Sequence, residues 1–192
     1  MSITTWDIDT LHSTIGFVVR HMLVSNVRGR FNRWTGRLQF DSANLRAGSV
    51  TAQIDVSSID TNASQRDAHL RSSDFLDARR FAAISFRSTQ LESIAETSFE
   101  LTGELTIRGV TRQTTVDVEY GGRMRDPDGK DRIGFSARAT INRRAFGVTF
   151  NKVLDAGGLA LGDNVAIEVE IAASAKPPGA AHPSSVSPPS AR

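Results

Sequence analysis

Histidine and aspartate residues come together in one stretch of the chain, RDAHLRSSDFLDARRF at residues 66–81. The residue types there that bind metal ions or form acid–base pairs are Asp67, His69, Asp74 and Asp77. Residues two positions apart on a helix point in different directions, which is poor geometry for holding one ion. The favoured interpretation is a helix surface on which arginines pair with aspartates. The stretch therefore predicts a covering segment rather than an active site.

Three of the four histidines lie in the patterned part of the chain, at His12, His21 and His69. Their spacings match no compact zinc motif, so no metal site is predicted. His21 continues the alternation of Phe17 and Val19, and this parity directs its side chain inward at the end of a strand. There it could hydrogen-bond a carbonyl or hydroxyl of a ligand, or be a satisfied core histidine, and both interpretations stay open.

Nucleophilic and nucleotide chemistry have no recognisable motif in this chain. It contains no cysteine, which excludes disulfides, thiol catalysis and cysteine-ligated metals. No Gly-x-Ser-x-Gly, Gly-x-Gly-x-x-Gly or Walker-type sequence occurs. The sequence therefore predicts no catalytic residues and no required cofactor. A lipid-modifying enzyme that uses His21 or His69 as an acid–base group is the catalytic alternative.

Arginines alternate with aromatic residues in VRGRFNRWTGR at residues 27–37. Such a pattern can form a platform for single-stranded nucleic acid. Here, however, Trp34 has the parity of the apolar Leu38, while Arg33 and Arg37 have the opposite parity. An ordinary half-buried strand has one apolar and one basic side, and the net charge is only +2. No nucleic-acid partner is predicted.

The rest of the chain alternates with period two, which is typical of strands with one buried face. The clearest segment is 99–107, where apolar or small residues occupy the odd positions and Glu or Thr the even ones. The other segments are marked by residues 15–19, 38–40, 50–56, 82–86, 116–120, 133–141 and 165–171. DPDGK at 126–130 predicts a hairpin turn. Eight such segments favour an antiparallel sandwich or a closed barrel.

Small residues occur at many positions of inward parity: Ala52, Ala82, Gly103, Ala137 and Ala139. They remove volume that a self-filled barrel of about eight strands would need, so an apolar space inside is one interpretation. The other is that they let strands bend or let larger neighbours interdigitate. The pattern alone gives both equal weight.

A short helical insertion is predicted between strands three and four. Thr61 or Asn62 would cap a helix running through Leu70, and Ser72 or Ser73 would cap a second one. The apolar residues of the pair are Leu70, Phe75 and Leu76. Two short amphipathic helices at this place would cover one mouth of a barrel.

The domain is predicted to span residues 1–175. The segment 176–192, KPPGAAHPSSVSPPSAR, is expected to be a disordered tail because it lacks the apolar residues needed to offset ordering entropy. A ligand for a proline-recognising module is its alternative role. The first residues do not have the pattern of a signal peptide, and no apolar run approaches about 18 residues. A cytoplasmic location is the resulting expectation.

Five short motifs occur in order along the chain: WDIDTLHSTIGFVVRHM, VRGRF, SSIDTNASQRDAHLRSSDFLDARRFAAISF, LTGELTIRGVT and INRRAFG. Over residues 6 to about 174, the chain resembles the YceI-like family of lipocalin-like, polyisoprenoid-binding proteins. The resemblance implies an eight-stranded antiparallel barrel with an elongated hydrophobic cavity that holds a long isoprenoid chain, such as a quinone or polyprenyl lipid. It brings no catalytic role to the matching residues, which include Arg66, His69 and Arg143. Phe81 and Ala82 depart from the family's usual aromatic–proline pair, and many family members are exported.

The fold class predicted is therefore all-β, an eight-stranded antiparallel lipocalin-like barrel with the helical insertion between strands three and four. The predicted function is non-catalytic binding of a long-chain isoprenoid lipid for storage, transport or sensing; a ligand-free interaction module is a further alternative. The predicted apolar ligand-binding residues are Ile15, Phe17, Val19, Leu38, Phe40, Ile54, Ile84, Phe86, Phe99, Leu101, Leu105, Val116, Val118, Phe135, Ile141, Ile167 and Val169. The predicted lid and mouth residues are His21, Arg66, Leu70, Phe75, Leu76, Arg143 and Phe146. The expected partner is a long-chain isoprenoid or other apolar lipid, and a bound isoprenoid lipid or quinone is compatible with the sequence. Transient contact with a membrane and formation of a homodimer are left open.

Overall fold

The computed structural model describes residues 4–22, 24–41, 44–152 and 160–175, without the side chains of 41 and 44–47. The predicted disordered tail at 176–192 lies outside the described residues. Within them, no helix is long and apolar enough to cross a membrane.

The described residues form eleven strands, one α-helix and two short 3-10 turns. The strands are β1 Thr4–Ile8, β2 Thr14–His21, β3 Ser25–Phe31, β4 Trp34–Asp41, β5 Asn44–Asp55, β6 Ile59–Asp60, β7 Ala83–Ser93, β8 Ser98–Ile107, β9 Val110–Arg125, β10 Asp131–Asn142 and β11 Leu161–Ala175. The helix is α1 Ser64–Arg71, and the 3-10 turns are Val56–Ser58 and Arg143–Phe146.

Eight of the strands form a closed antiparallel barrel in the order β1-β4-β5-β7-β8-β9-β10-β11, with β11 pairing back to β1. Beyond β1, strand β11 pairs with β2, β2 with β3, and β3 with the short β6. The predicted first strand, marked by residues 15–19, is β2, whereas the sequence pattern does not mark β1. The predicted second strand ends at residues 38–40 in β4, and the chain before it forms the separate strand β3. The predicted all-β fold and eight-stranded barrel are confirmed.

The sequence pattern explains why these segments are strands. In β8, the residues of odd number are buried and those of even number are more exposed, as the alternation of apolar and polar residues predicts. Between β9 and β10, the Lys130 N–H donates to Oδ1 of Asp126 at 2.9 Å, and the Asp126 N–H donates to the Lys130 carbonyl at 2.9 Å. Gly129 in this turn has a φ of +77°. The DPDGK hairpin turn is therefore confirmed.

Packing is concentrated at the two ends of the barrel. At one end, here called the helix end, α1 and the turn Arg143–Phe146 lie near a cluster formed by Ile15, Ile54, Val56, Ile84, Leu105, Ile107, Ile141 and Phe146. At the opposite end, here called the Trp6 end, the cluster consists of Trp6, Phe40, Ile133 and Ala173. The rings of Trp6 and Phe40 stack there with centroids 5.2 Å apart.

The helical insertion differs from its prediction in two ways. Only one α-helix forms, and residues 72–80 after it follow a series of turns, so the second predicted helix is wrong. The predicted cap is also wrong, because the N-cap is Ala63, without a side-chain hydrogen bond, and Asn62 adopts a positive φ of 60°. Asp67 of the helix instead accepts from the backbone N–H of Thr61 at 2.9 Å, which ties α1 to the segment before it.

Of the small residues of inward parity, Ala82 differs from expectation, and Gly103 follows the interpretation in which larger neighbours interdigitate. Ala82 is exposed and precedes β7, so its predicted inward position in a strand is wrong. Gly103 is buried, but its place is filled by a neighbour: a Cβ built there would lie 2.4 Å from Cζ of Phe86. Gly103 thus leaves room for the Phe86 ring.

We expect Gly103→Ala to lower the free energy of unfolding by about 1–3 kcal/mol, because the added methyl overlaps the Phe86 ring and the Arg87 carbonyl. Urea denaturation followed by circular dichroism measures this change. Gly121→Ala is the matched control, since its Cβ would meet no atom closer than 3.5 Å. Equal stabilities of the two variants would contradict the close packing of Phe86 on Gly103.

Candidate binding cavity

The interior of the barrel is incompletely filled. A cavity of about 590 Å³ lies between the two end clusters, a size typical of small-molecule sites. Many inward apolar side chains, including Phe17, Trp34 and Phe86, are only half-buried, because the cavity leaves part of their surface uncovered. The lining is aliphatic and aromatic over most of its extent.

The structure brings all the predicted apolar residues to this cavity. Those that border it are Ile15, Phe17, Val19, Leu38, Phe40, Ile54, Ile84, Phe86, Phe99, Leu101, Leu105, Val116, Val118, Phe135, Ile141, Ile167 and Val169. Ala52, Ala137 and Ala139 border it as well, so these small residues do contribute space. Contact of these side chains with a ligand stays a prediction.

The predicted lid and mouth residues also border the cavity. They are His21, Arg66, Leu70, Phe75, Leu76, Arg143 and Phe146. They come from β2, from the insertion around α1 and from the turn after β10, and they meet at the helix end.

Sequence reasoning missed several bordering residues. Val165 and Ile171 share the parity of their predicted neighbours in β11, so the alternation contained the signal that would have found them. Val148 and Phe150 also border the cavity, but they lie outside any strand, in the segment after the Arg143–Phe146 turn. No local pattern marks such residues, and only tertiary packing places them.

His69 is held in an aromatic setting on the lid. Its ring packs edge to face against Phe75 at 4.9 Å and Phe150 at 5.0 Å between centroids. Its Nε2 lies 2.8 Å from the Oδ2 of Asp74. The histidine thereby joins the insertion to the segment that follows β10, which closes part of the helix end.

The four acidic and histidine residues of the insertion do not converge on one point, although His69 and Asp74 form a pair. Asp67 is buried, and its carboxylate accepts a hydrogen bond from the Thr61 N–H. The expectation that Asp67 pairs with an arginine on the helix surface is therefore wrong. Asp77 is buried as well, but its Oδ2 lies 3.7 Å from Nη1 of the exposed Arg80, so the predicted arginine–aspartate pairing does occur there. Among the residues that the structure describes, no group of three or more His, Asp or Glu side chains is placed to hold a metal ion.

Arg143 fastens the mouth of the cavity to the barrel. Its Nε donates to the Gly162 carbonyl at 2.9 Å, and its Nη1 donates to the carbonyls of Val148 and Phe150 at 2.9 and 2.8 Å. Its Nη2 donates to Asp163 at 3.2 Å. These four bonds use four of the five N–H donors of the guanidinium. Burial lowers the pKa of Arg143 from its ordinary value, and the Asp163 carboxylate opposes that shift.

The ionisable residues that border the cavity within the described part of the chain are all basic: His21, Arg66, His69, Arg143 and Lys152. All five lie at the helix end. Arg66 donates from Nε and Nη2 to Thr61, which holds its guanidinium beside α1. The cavity therefore has a basic end and an apolar end.

Fold and site together define a small antiparallel β-barrel protein with an internal apolar cavity. The model of the YceI-like domain matches residues 6–173. The chain therefore belongs to the YceI-like family, which confirms the family indicated by its sequence motifs.

Relatives of known sequence share most of the chain. A UPF0312 protein of Staphylococcus epidermidis is 37% identical over 166 residues, which cover 86% of this chain and 94% of the relative. A UPF0312 protein of Vibrio cholerae is 36% identical over 137 residues, covering 71% and 72%.

Solved structures share the fold. BcnA of Burkholderia cenocepacia is 25% identical with a TM-score of 0.77, covering 86% of this chain and 99% of that one. The YCEI protein of Campylobacter jejuni is 30% identical with a TM-score of 0.73, covering 82% and 90%. A polyisoprenoid binding domain from Saccharophagus degradans, at 14% identity and a TM-score of 0.62 over 91% and 100%, shows the fold alone.

We expect Arg143→Met to lower the free energy of unfolding by about 3 kcal/mol, because three carbonyls and the Asp163 carboxylate lose their donor. Arg144→Met, at the exposed neighbouring position of the same turn, is the control and should change stability by less than about 0.5 kcal/mol. Urea denaturation of both variants measures the difference. A loss no larger in Arg143→Met than in Arg144→Met would contradict the structural role of Arg143.

Proposed function

We propose that this protein binds a long-chain isoprenoid lipid in the barrel cavity without catalysing its conversion. The observation that carries the proposal is an internal space of about 590 Å³ bordered almost throughout by aliphatic and aromatic side chains. The fold is shared with the Saccharophagus degradans domain, which is described as polyisoprenoid binding.

Burial of hydrocarbon supplies the affinity in this proposal. Each methylene group that leaves water contributes about 0.8 kcal/mol, so one five-carbon unit contributes a few kcal/mol. Several units outweigh the entropy cost of association without a strong polar contact. Such a site discriminates weakly between chains, because one methylene changes the binding free energy by only about 1–3 kcal/mol. The protein would then recognise a long apolar chain more than its exact identity.

The charge distribution orients the ligand. The polar end of an isoprenoid lipid, such as a quinone carbonyl or a polyprenyl oxygen, accepts hydrogen bonds and is best placed at the basic helix end. His21, Arg66, His69 and Lys152 border the cavity there. The hydrocarbon chain then runs along the barrel toward the Trp6 end, where the lining is apolar.

The position of the β2–β3 hairpin supports the proposal of transient contact with a membrane. Met22 and Val24, at its tip, are 45% and 86% exposed. Both residues follow the end of β2, where His21 borders the cavity. Met22 donates its N–H to the Ala160 carbonyl at 2.8 Å. Exposed apolar residues beside a mouth are suited to enter a lipid surface while a chain transfers.

We expect Ala139→Trp to weaken binding of an isoprenoid quinone with a four-unit side chain by at least about tenfold, because the indole occupies space inside the cavity. Thr140→Trp, on the exposed face of the same strand, is the control and should bind like the wild type. Fluorescence titration measures affinity, and organic extraction with mass spectrometry identifies lipid carried through purification. If the wild type carries no lipid and binds no added quinone, the proposed function is wrong.

We expect the pair Met22→Ser and Val24→Ser, combined in one variant, to slow extraction of the same quinone from phosphatidylglycerol-containing vesicles by several-fold, with its affinity in solution unchanged. The reason is that the hairpin tip loses its apolar surface. Leu11→Ser, which removes a 91% exposed side chain from the loop between β1 and β2, is the control. Equal transfer rates for the wild type, the double variant and Leu11→Ser would contradict a role of the hairpin in membrane contact.

A further inference from the structure

Strands β5 and β7 are paired over only part of their length. Their ladder runs from Asp55 opposite Ala83 to Thr51 opposite Arg87. Further along, β5 stays paired with β4, through Ser49 and Val50, while β7 stays paired with β8 as far as Ser93. The barrel wall is therefore closed between β5 and β7 near the helix end and splits toward the Trp6 end.

The split has a local cause in β7. The register of β7 with β8 shifts between Ser88 and Gln90, and such an irregularity increases twist and ends pairing. At the same level, the N–H of Val50 donates to the side-chain Oγ of Ser88 at 2.8 Å in place of a backbone carbonyl. The side chain thus satisfies the last amide of β5 before the two strands separate.

The cavity reaches this split. On β8 the bordering residues alternate, as they do where a strand shows one face to the interior. On β5 every residue from Gly48 to Ala52 borders the cavity, including Ser49 and Thr51, whose side chains are exposed. A cavity touches both faces of a strand where it passes around the edge of that strand. Leu91 of β7 borders the cavity on the other side of the split.

The Trp6 end itself is closed by aromatic rings. Phe40 stacks on Trp6 and meets the edge of Phe135 at 5.9 Å, and Phe135 packs on Tyr120 at 5.2 Å between centroids. A chain that enters from the helix end therefore does not continue straight out of the barrel.

The cavity volume limits how much chain stays inside. If each carbon takes about the volume of a liquid water molecule, about 30 Å³, then 590 Å³ holds about twenty carbons, or about four isoprene units. We infer that the distal part of a longer isoprenoid chain leaves the barrel sideways, through a lateral portal between β5 and β7 bordered by Gly48, Ser49 and Leu91. This inference rests on the proposed function.

The portal has a consequence for specificity. A blind pocket rejects chains longer than itself, whereas a tunnel with a side opening sets no upper limit on chain length. The part of the chain that emerges meets the tip of the β7–β8 loop, where Ile94 is 66% exposed and offers apolar surface. The protein is therefore expected to accept long polyprenyl chains together with short ones.

The test narrows the portal and compares two alcohols that differ only in chain length: geranylgeraniol, with four units, and solanesol, with nine. Ser49→Trp and Leu91→Trp place an indole in the split, and Gln53→Trp, exposed on the same strand in the paired region, is the control. We expect both portal variants to keep the affinity for geranylgeraniol within about twofold and to lose at least about tenfold for solanesol. Gln53→Trp should bind both alcohols like the wild type.

The outcomes separate the portal from the proposed function. If the wild type binds neither alcohol, the proposed function fails. If the wild type binds both and the portal variants keep solanesol, or lose both alcohols equally, the portal is wrong while lipid binding stands. If Leu91→Trp does not fold, the Ser49→Trp variant still allows the comparison, because Ser49 is exposed and its replacement does not disturb the core.

A second measurement locates the end of the chain in the unaltered protein. A solanesol analogue with a diazirine at its terminal unit is bound and irradiated, and the labelled peptides are identified by mass spectrometry. Labels within 48–51 or 89–94 support the portal. Labels confined to Trp6, Phe40 or Phe135 would show a chain folded back inside the barrel and would overturn it.

Discussion

The closure of the hydrogen-bond ladder by β1 is the constraint on which the rest of the structure depends. Trp6 pairs with Leu38 of β4 on one side and with Ala175 of β11 on the other, so this short strand joins the two flanks of the sheet. A closed ring satisfies the backbone of each wall strand through its neighbours and leaves few free edges. Because the wall is held by its backbone, the interior does not have to be filled for the barrel to form.

The unfilled volume of the barrel lies between two well-packed ends. Unfilled apolar volume lowers stability, and here it is bounded by the Trp6 cluster and by the cluster near the helix end. Hydrocarbon that covers the same surface would restore the lost contacts. Any ligand that binds only the folded barrel stabilises it by mass action, so occupancy and stability are coupled through one set of side chains.

The two ends of the barrel cavity differ in chemistry. Basic side chains border the cavity at the helix end, where Arg143 ties the segment 148–150 to the start of β11. Aromatic rings close the other end, and the wall separates beside them at Ser88. In the proposed function, a head group and a hydrocarbon chain would meet different surroundings, which favours one orientation of an elongated ligand.

The sequence by itself determined the family, most of the strands and most of the side chains that face inward, although it marked neither β1 nor β6. Period-two alternation is a local property of an extended backbone, and it identified most of the residues of β8, β10 and β11 that border the cavity. Tertiary structure alone decided that the Phe86 ring fills the space beside Gly103 and that Asp67 accepts a hydrogen bond from Thr61. It also decided that the pairing of β5 with β7 ends at Thr51. These features depend on which distant segments meet and how their volumes sum, and no local pattern contains that information.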